Sequence, residues 1–447
     1  TSMMATYHEN GESIRVTVKG APERVLDAST RILTDDGIRP MDQEERQHWR
    51  DANERLGESG LRLLGLAQKH VDDSEAPPYE DLVFVGLVGM VDPPREDVGP
   101  ALDACREAGI RVVMVTGDQP GTALYVAREL DMADGEPNAV HGRDLGSIDD
   151  AEPAKRDEIL AAPVFARVTP EQKLDLIQLH QESGATVAMT GDGVNDAPAL
   201  VEADIGVAMG QRGTQVAREA ADMVLGDDRF QTIVAAVEQG RIIFENIRKF
   251  AVYLLSCNVS ELFVVSIAAL IFADQPLPLT ALQILFLNLV TDVFPALALG
   301  LGEGDKRLMD RPPRDPEESI LTRKHWMRIA GYGGVMTLSV LGAFYIAIFE
   351  IGLTNSQAVS VSFLTLALAQ LWHVFNMRTS GTSRFYNDVT RNPWVWGALV
   401  LCVGLIALAV YFTPLASVIS VTDPGTSGWL VAIGASVIPV IVGHLRR

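Results

Sequence analysis

The sequence predicts an α/β part that is followed by an all-α bundle of six transmembrane helices. Three observations predict this division. Strand-like apolar runs alternate with amphipathic helices between residues 81 and 240, long apolar runs begin after Phe250, and most charged residues precede Gly240. The chain has 447 residues, which is too long for one ordinary hydrophobic core, so more than one domain is expected.

Residues 1–80 are expected to form an α+β part, since strand-like runs at 14–18 and 61–67 flank the charged helical stretch "MDQEERQHWRDANERLGESG". After residue 80 the apolar runs are "LVFVGLVGMVD", "RVVMVTGD", "PVFARVTP" and "ATVAMTGD", separated by amphipathic helical stretches. This alternation predicts a parallel sheet covered by helices on both faces. Ligands bind beyond the carboxyl ends of such strands. The polar ends "TGD", "ARVTP" and "TGDGVND" are therefore expected to meet at one rim.

The composition argues against a nucleic-acid partner and suggests a cytosolic surface. A formal net charge of −21 argues against nucleic acid, whose phosphates would be repelled, and fits an acidic cytosolic surface. The three cysteines, Cys105, Cys257 and Cys402, have no metal-ligand or redox spacing and are expected to be buried and reduced. The chain starts at Thr1 without a signal peptide, which we interpret as a fragment boundary.

Six apolar segments are long enough to span a bilayer: 250–273, 279–301, 327–349, 356–377, 394–412 and 427–443. The connecting segments 274–278, 350–355 and 413–426 contain no Lys or Arg, whereas those at 302–326 and 378–393 and the C-terminus do. The positive-inside rule therefore places the basic segments and the α/β part in the cytoplasm. The alternative is a buried helical bundle in a soluble protein.

The predicted rim carries three of the four components that phosphoryl transfer needs. Thr116 and Gly117 offer a hydroxyl and an unhindered amide to a phosphate. Lys173, near a helix start, supplies a positive charge. Hard oxygen ligands suited to Mg²⁺ follow the last strand at Asp192, Asn195 and Asp196. Taken singly, these patterns are more often turns or solvated faces, but their occurrence at successive strand ends predicts a phosphate site without a nucleophile.

Polar residues within the spans predict a second site. Asn258 and Glu261 are three residues apart, and Asn288, Thr291 and Asp292 also share one helix face. Pro295 has no N–H, so the Thr291 carbonyl is expected to be free. These oxygens suit Ca²⁺ better than Zn²⁺ or Cu⁺, and Cys257 is expected on a different helix face. The alternative role for the two asparagines is to hold helices together.

The motifs "KGAPE" (19–23), "MVDPPR" (90–95), "TGD" (116–118), "ARVTPEQK" (166–173), "TGDGVNDAPAL" (190–200) and "ADIGVAMG" (203–210) resemble those of P-type ATPases in order and spacing. The resemblance covers essentially the whole chain. It implies that residues 1–80 are the C-terminal part of a nucleotide-binding domain. It also implies that residues 81–240 form a haloacid-dehalogenase-like (Rossmann-like) phosphorylation domain and residues 241–447 a transmembrane domain.

The resemblance also implies a role for each motif residue, with ATP and Mg²⁺ as cofactors. Lys19 and Arg62 would contact the nucleotide, and residues 92–95 would form a hinge. At the rim, Thr116 and Gly117 would bind the phosphoryl group, and Asp118 and Arg167 would contact the nucleotide. Lys173 would neutralise phosphoryl charge. Asp192 would ligate Mg²⁺, and Asn195 and Asp196 would complete the Mg²⁺ cluster.

The family's phosphorylated aspartate lies in a DKTGT motif, which does not occur here. The chain therefore resembles the C-terminal half of a pump, and the resemblance implies the missing N-terminal half of the same pump as its partner. "SCNVSE", "NLVTDVFPALALG" and "MDRPPRDPEESIL" resemble the calcium branch, and Asn288 favours it over the sodium/potassium branch. Gln370 stands where two-site calcium pumps have Glu. The resemblance implies ATP-driven Ca²⁺ transport across the plasma membrane. Alternatives are a sodium/potassium or proton pump, a membrane-anchored dehalogenase-type phosphatase, and a truncated non-catalytic membrane partner.

Overall fold

The structure is a computed structural model that describes residues 3–10, 13–58, 61–73, 75–90, 93–133, 135–146, 148, 151–272, 274–379, 383 and 386–445. These residues form two compact units that divide between Val234 and Ala235. The first unit is mixed α/β, and the second is helical. The coarse fold class predicted from the sequence is therefore confirmed.

The first unit begins with a six-stranded mixed sheet in the order β1-β2-β5-β6-β3-β4. Its elements are β1 (Met3–Asn10), β2 (Ser13–Gly20), α1 (Pro22–Asp27), β3 (Ser29–Thr34), β4 (Gly37–Pro40), α2 (Gln43–Glu58), β5 (Arg62–Val71) and β6 (Leu82–Met90). Buried residues of the strands and of α1 form its core, including Val16, Val18, Leu26 and Phe84. The two helices thus supply the apolar cover that the sheet needs.

The run at 82–90 was expected in the parallel sheet, and that prediction is wrong. The strand β6 pairs antiparallel with β5 and parallel with β3, so it belongs to the six-stranded sheet. Only the ten residues 72–81 separate β5 from β6. A parallel crossover needs a dozen residues or more, so a connection of this length favours the antiparallel return.

The rest of the first unit alternates short strands with helices as predicted. The elements are α3 (Val98–Glu107), β7 (Met114–Val115), α4 (Pro120–Glu129), β8 (Ala139–His141), α5 (Gly142–Leu145), α6 (Pro153–Ala161), β9 (Val164–Ala166), α7 (Pro170–Glu182), β10 (Ala188–Gly191), α8 (Ala197–Glu202), β11 (Ile205–Met209), α9 (Gln215–Ala220) and β12 (Met223–Leu225).

These strands form two parallel three-stranded sheets, β7-β9-β8 and β10-β11-β12, rather than the single sheet expected. The strand β7 is only two residues long, although the apolar run "RVVMV" is longer. No strand in the described part of the chain pairs with both β7 and β10.

Among its described residues, the second unit contains six helices that are long and apolar enough to cross a membrane, as predicted. Its helices are α10 (Phe230–Ile271), α11 (Ala281–Leu287), α12 (Val293–Gly300), α13 (Arg323–Tyr345), α14 (Asn355–His373), α15 (Pro393–Tyr411), α16 (Thr413–Val418) and α17 (Gly425–Leu445). A π-helical turn, Asn288–Asp292, joins α11 to α12 within the second span. Nearly all residues of α14 are buried, so this helix lies inside the bundle.

Candidate functional site

The start of α7 fixes the direction of Lys173. Thr169 and Gln172 form a reciprocal capping box, and Pro170 occupies the first turn, where its missing N–H costs nothing. Lys173 Nζ lies 2.7 Å from Asp196 Oδ1, and only 15% and 12% of the two side chains are exposed. The structure therefore joins the end of β9 to the end of β10 through one largely buried ion pair.

Asp196 also organises the turn after β10. Its Oδ2 accepts hydrogen bonds from the N–H groups of Gly193 (3.0 Å) and Asp192 (3.3 Å). A Cβ at Gly191 would lie 2.5 Å from Asp196 Cβ, so this close approach requires glycine. Burial raises the pKa of Asp196, but the Lys173 ammonium and the two N–H donors outweigh burial and hold that pKa below its usual range. Asp196 is thus an ionised anchor whose oxygens are both engaged.

Asp192 and Asn195, by contrast, have exposed side chains. The Asp192 backbone carbonyl accepts the Thr214 N–H at 2.8 Å, which holds the turn without using the carboxylate. Within the described residues, no hydrogen bond engages the Asp192 carboxylate. Of the two aspartates in the turn, Asp192 is therefore the one whose oxygens are available to a ligand.

The "TGD" turn lies beside Arg167. The Thr116 hydroxyl donates to Asp118 Oδ2 at 3.2 Å, and the Asp118 N–H donates to Thr116 Oγ1 at 3.1 Å. The Arg167 N–H donates to the Asp118 carbonyl (3.0 Å) and the Val168 N–H to the Thr116 carbonyl (3.1 Å). No atom lies within 4 Å of a Cβ built on Gly117, so the turn is open there.

Hydrogen bonds therefore divide the predicted rim residues into two groups. One group contains Thr116, Gly117, Asp118 and Arg167, and the other contains Lys173, Asp192 and Asp196. Helix α7 follows directly from the first group and carries Lys173 of the second. No hydrogen bond in the described part of the chain links the TGD turn directly to the turn after β10.

Lys19 and Arg62 lie on neighbouring strands of the six-stranded sheet. Lys19 is exposed on β2 and pairs with Leu66 of β5, whereas Arg62 begins β5 four residues before Leu66. Four residues of strand correspond to about 13 Å. In the expected hinge, Asp92 lies outside the described residues, while the Arg95 side chain donates to the Asp228 carbonyl at 2.6 Å.

In the second unit, Glu261 is the centre of a hydrogen-bonded group. It is 5% exposed. Its Oε1 accepts from the side-chain amide of Gln370 (3.0 Å), and its Oε2 accepts from that of Asn288 (3.2 Å). The Thr291 hydroxyl lies 3.0 Å from Gln370 Oε1. Residues of α10, the π-helical turn and α14 thus meet at one buried point.

The Thr291 carbonyl is not free, contrary to the prediction. The hydroxyl of Tyr253 lies 3.0 Å from the Thr291 carbonyl and 3.1 Å from that of Gln370. Tyr253 is fully buried, and a buried tyrosine hydroxyl requires an acceptor. The donor that Pro295 cannot supply therefore comes from α10. The predicted interruption of the span is present as the π-helical turn.

Asp292 differs from every other member of this group. It is 2% exposed, and no N–H or hydroxyl group in the described residues donates to its carboxylate oxygens. The carboxylate faces the thiol of Cys257, whose S–H is only a weak donor. An unpaired carboxylate in a low-dielectric interior is costly, and it is retained where a ligand neutralises it. Asp292 is therefore the strongest indication of a binding site in this unit.

The structure places Asn258 on the exposed side of α10, apart from the other predicted ligands, while Cys257 shares the buried side with Glu261. This reverses the expectation for both residues. Because each helical residue advances by about 100°, a spacing of three leaves about 60° between side chains and a spacing of four about 40°. The four-residue spacing from Cys257 therefore matches the Glu261 direction better.

Two residues that organise these groups were not predicted as site residues from the sequence. Tyr253 could have been found from its spacing of four and eight residues before Cys257 and Glu261. For Gln172, the sequence pattern indicates only a helix capping box with Thr169 and no role in a site. The described residues contain no cluster of three or more His, Cys, Asp or Glu side chains that could hold a metal, so the group around Glu261 depends on amide and hydroxyl oxygens as well. All three cysteines are free and buried, as predicted.

Comparison with known proteins identifies the family. Residues 1–97 match the family model "P-type ATPase, cytoplasmic domain N", and residues 276–447 match "Cation transporting ATPase, C-terminus". The chain is 39% identical over 445 residues to a calcium-transporting ATPase of Bacillus subtilis (strain 168), covering 98% of this chain and 49% of that protein.

Two further relatives give the same result. Calcium-transporting ATPase 1 of Bacillus cereus is 37% identical over 100% of this chain and 52% of its own length. A calcium-transporting ATPase of Listeria monocytogenes is 35% identical over 100% of this chain and 50% of its own length. The chain spans about half the length of the relatives it matches. Its motifs, its six apolar helices and these matches together show that the chain belongs to the P-type cation-transporting ATPase family.

Proposed function

We propose that this chain supplies the nucleotide-handling and cation-binding parts of an ATP-driven pump that transports Ca²⁺ across the plasma membrane. The observation that carries the proposal is Asp292, a buried carboxylate to which no N–H or hydroxyl group of the described residues donates, next to a second buried carboxylate, Glu261. Such charges are costly in a membrane unless a cation neutralises them.

The chemistry of the neighbouring groups favours Ca²⁺. Around Asp292, the available oxygens come from Glu261, Asn288, Thr291 and Gln370. Ca²⁺ takes six to eight oxygen ligands, whereas Zn²⁺ and Cu⁺ prefer thiolate or imidazole. The named relatives are calcium-transporting ATPases, which agrees with this set. Asn258 enters the proposal only as a ligand that would have to turn inward.

P-type ATPases generally use ATP and Mg²⁺, and the cytoplasmic residues fit both. Asp192, with Asn195, would hold Mg²⁺, because its carboxylate is exposed and unengaged while Asp196 is committed to Lys173. The bound metal would neutralise phosphoryl charge. Thr116 and Gly117 would hold the phosphoryl group, and Lys173 would add positive charge beside it. Nucleotide contacts are assigned to Lys19, Arg62, Asp118 and Arg167.

We assign residues 1–90, which include all strands of the six-stranded sheet, to part of the nucleotide-binding domain, residues 91–240 to a haloacid-dehalogenase-like phosphorylation domain, and residues 241–447 to the transmembrane domain. The sequence has no DKTGT, so the acceptor aspartate is proposed to come from the N-terminal half of the same pump. The isolated chain should accordingly bind ATP without forming an acid-stable phosphoenzyme.

Cation binding can be tested on the full chain in detergent by thermal unfolding with and without Ca²⁺. Ca²⁺ at about 100 times its Kd should stabilise the wild-type chain by about 2.7 kcal/mol. Asp292→Asn should remove this stabilisation, while Asp274→Asn, a change at an exposed carboxylate, should preserve it. Stabilisation by Na⁺ or K⁺ without any effect of Ca²⁺ would move the assignment to an alkali-cation pump.

A further inference from the structure

A short segment at the end of β8 packs against Arg167. In the parallel pairing of β8 with β9, His141 lies opposite Ala166, so Gly142 follows β8 where Arg167 follows β9. Gly142 is buried and begins the four-residue helix α5. The two residues therefore occupy neighbouring positions at the carboxyl edge of this sheet.

The backbone of Arg167 is held in an unusual conformation. Its φ is +55°, in the left-handed region that non-glycine residues rarely adopt. Such a conformation persists only where its surroundings enforce it, and these cases concentrate at functional sites. On one side of Arg167, its N–H donates to the Asp118 carbonyl of the TGD turn at 3.0 Å.

Gly142 encloses the other side of Arg167. A Cβ at position 142 would lie 2.3 Å from the Arg167 carbonyl oxygen and 2.8 Å from Gln172 Oε1. The first contact is with backbone, which cannot move aside as a flexible side chain could. Any residue larger than glycine at 142 must therefore displace Arg167 or separate β8 from β9.

Gln172 links the end of β8 to the start of α7. Its Nε2 donates to the Gly142 carbonyl at 2.7 Å, and its Oε1 accepts the Thr169 N–H at 3.0 Å. The next residue in the chain is Lys173, which pairs with Asp196. A single side-chain amide thus connects the end of β8 with the start of α7, one residue before the largely buried Lys173.

We propose that Gly142 and Gln172 are positioning residues, which fix the Arg167 backbone and the TGD turn in the geometry that receives the nucleotide. This inference rests on the proposed function, in which Arg167 and Asp118 face the nucleotide. Neither positioning residue needs to touch the nucleotide. Their effect passes through the Arg167 conformation and the hydrogen bond from Arg167 to Asp118.

The test uses the full chain in detergent and two measurements. The first is the Kd for a fluorescent ATP analogue, and the second is amide hydrogen exchange at Arg167 and Val168, whose N–H groups donate to the TGD turn. Gly142→Ala should weaken nucleotide binding about tenfold and speed exchange at both amides by about tenfold. Gly99→Ala is the matched control, because no atom lies within 4 Å of a Cβ there.

Two further variants separate the backbone effect from the side-chain effect. Arg167→Gly should weaken binding with the exchange unchanged, because glycine accepts the left-handed φ but lacks the guanidinium. Gln172→Glu should keep the capping box but lose donation to the Gly142 carbonyl, and should therefore reproduce part of the Gly142→Ala effect. This variant also serves if Gly142→Ala does not fold.

The outcomes distinguish the inference from the proposed function. Unchanged exchange in both Gly142→Ala and Gln172→Glu would overturn the positioning role. Faster exchange with an unaltered Kd would overturn its connection to the nucleotide. If the wild-type chain binds no nucleotide, the proposed function fails, and the exchange data alone then decide whether these residues position Arg167.

Discussion

At the scale of single residues, Asp196 shows how one carboxylate can be structural within a site that is otherwise open. Both of its oxygens are engaged, and its pKa is held below the usual range mainly because Lys173 and two N–H donors outweigh its burial. A group whose pKa is lower in the folded state stabilises the fold above its unfolded pKa, about 4 for Asp, and loses that contribution as the pH falls through the folded pKa.

Asp196→Asn should therefore destabilise the turn after β10 near neutral pH and have little effect in acid. We expect a loss of about 1.5–3 kcal/mol, the range for hydrogen bonds to charged groups. Amide exchange across residues 188–200, corrected for intrinsic rates, measures this. The control is Asp157→Asn, at an exposed position of α6. A loss that is as large at acidic pH as at neutral pH would contradict the ion-pair explanation.

At the scale of elements, the C-terminal end of the second span is held by asparagines from two other segments. Asn392, buried before α15, donates to the Ala298 carbonyl at 2.7 Å, and buried Asn246 of α10 donates to the Gly302 carbonyl at 2.8 Å. The carbonyls at a helix end have no intrahelical partner, so these side chains satisfy them where water is scarce. They fix α12 only a few residues beyond Asp292.

Asn392→Ala should lower the free energy of unfolding by about 1–2 kcal/mol, because it leaves the buried Ala298 carbonyl without a donor and removes the Oδ1 that accepts the Trp394 N–H at the start of α15. Thermal unfolding of the full chain in detergent is the measurement. Asn355→Ala, at an exposed position of α14, should leave the midpoint unchanged. Equal midpoints for both variants would show that water replaces the Asn392 amide.

Predictions about elements succeeded where a pattern depends on local chemistry. Apolar length revealed the six spans. The spacing of Asn288, Thr291 and Asp292 predicted that they share one helix face, and of these Thr291 and Asp292 are buried while Asn288 is half-buried. Hydropathy placed the start of the first span at 250, whereas α10 begins at Phe230, because a charged helix continuous with a span carries no apolar signal. The pairing of β6 and the Tyr253 bond to Thr291 depend on contacts between distant residues, which one-dimensional periodicity does not encode.

At the scale of the whole molecule, the distribution of positive charge predicts the orientation of the chain. Single-cysteine labelling can test this, because the native cysteines are all buried. Exposed Ser319 lies in a basic connecting segment, and exposed Ser417 lies in one without Lys or Arg. The positive-inside rule places these two residues on opposite sides of the membrane.

Ser319→Cys should react with a membrane-impermeant maleimide only in inverted vesicles, and Ser417→Cys only in intact cells. The unsubstituted chain controls for background labelling. An odd number of predicted spans separates the two positions, so they should lie on opposite sides of the membrane. Labelling of both variants from the same side would contradict the six-span arrangement.

The π-helical turn at Asn288–Asp292 has a consequence for how the gene can change. A π turn holds one residue more than the regular helix around it. An in-frame deletion of one codon there would remove this extra residue, restore a regular α-helix and leave the helix beyond it at nearly its present phase. The Ala298 carbonyl would then still face Asn392. A one-codon deletion in the regular helix α12 before Ala298 would instead rotate Ala298 by about 100°, so the second span should tolerate the loss of a residue within the π-helical turn far better than within α12.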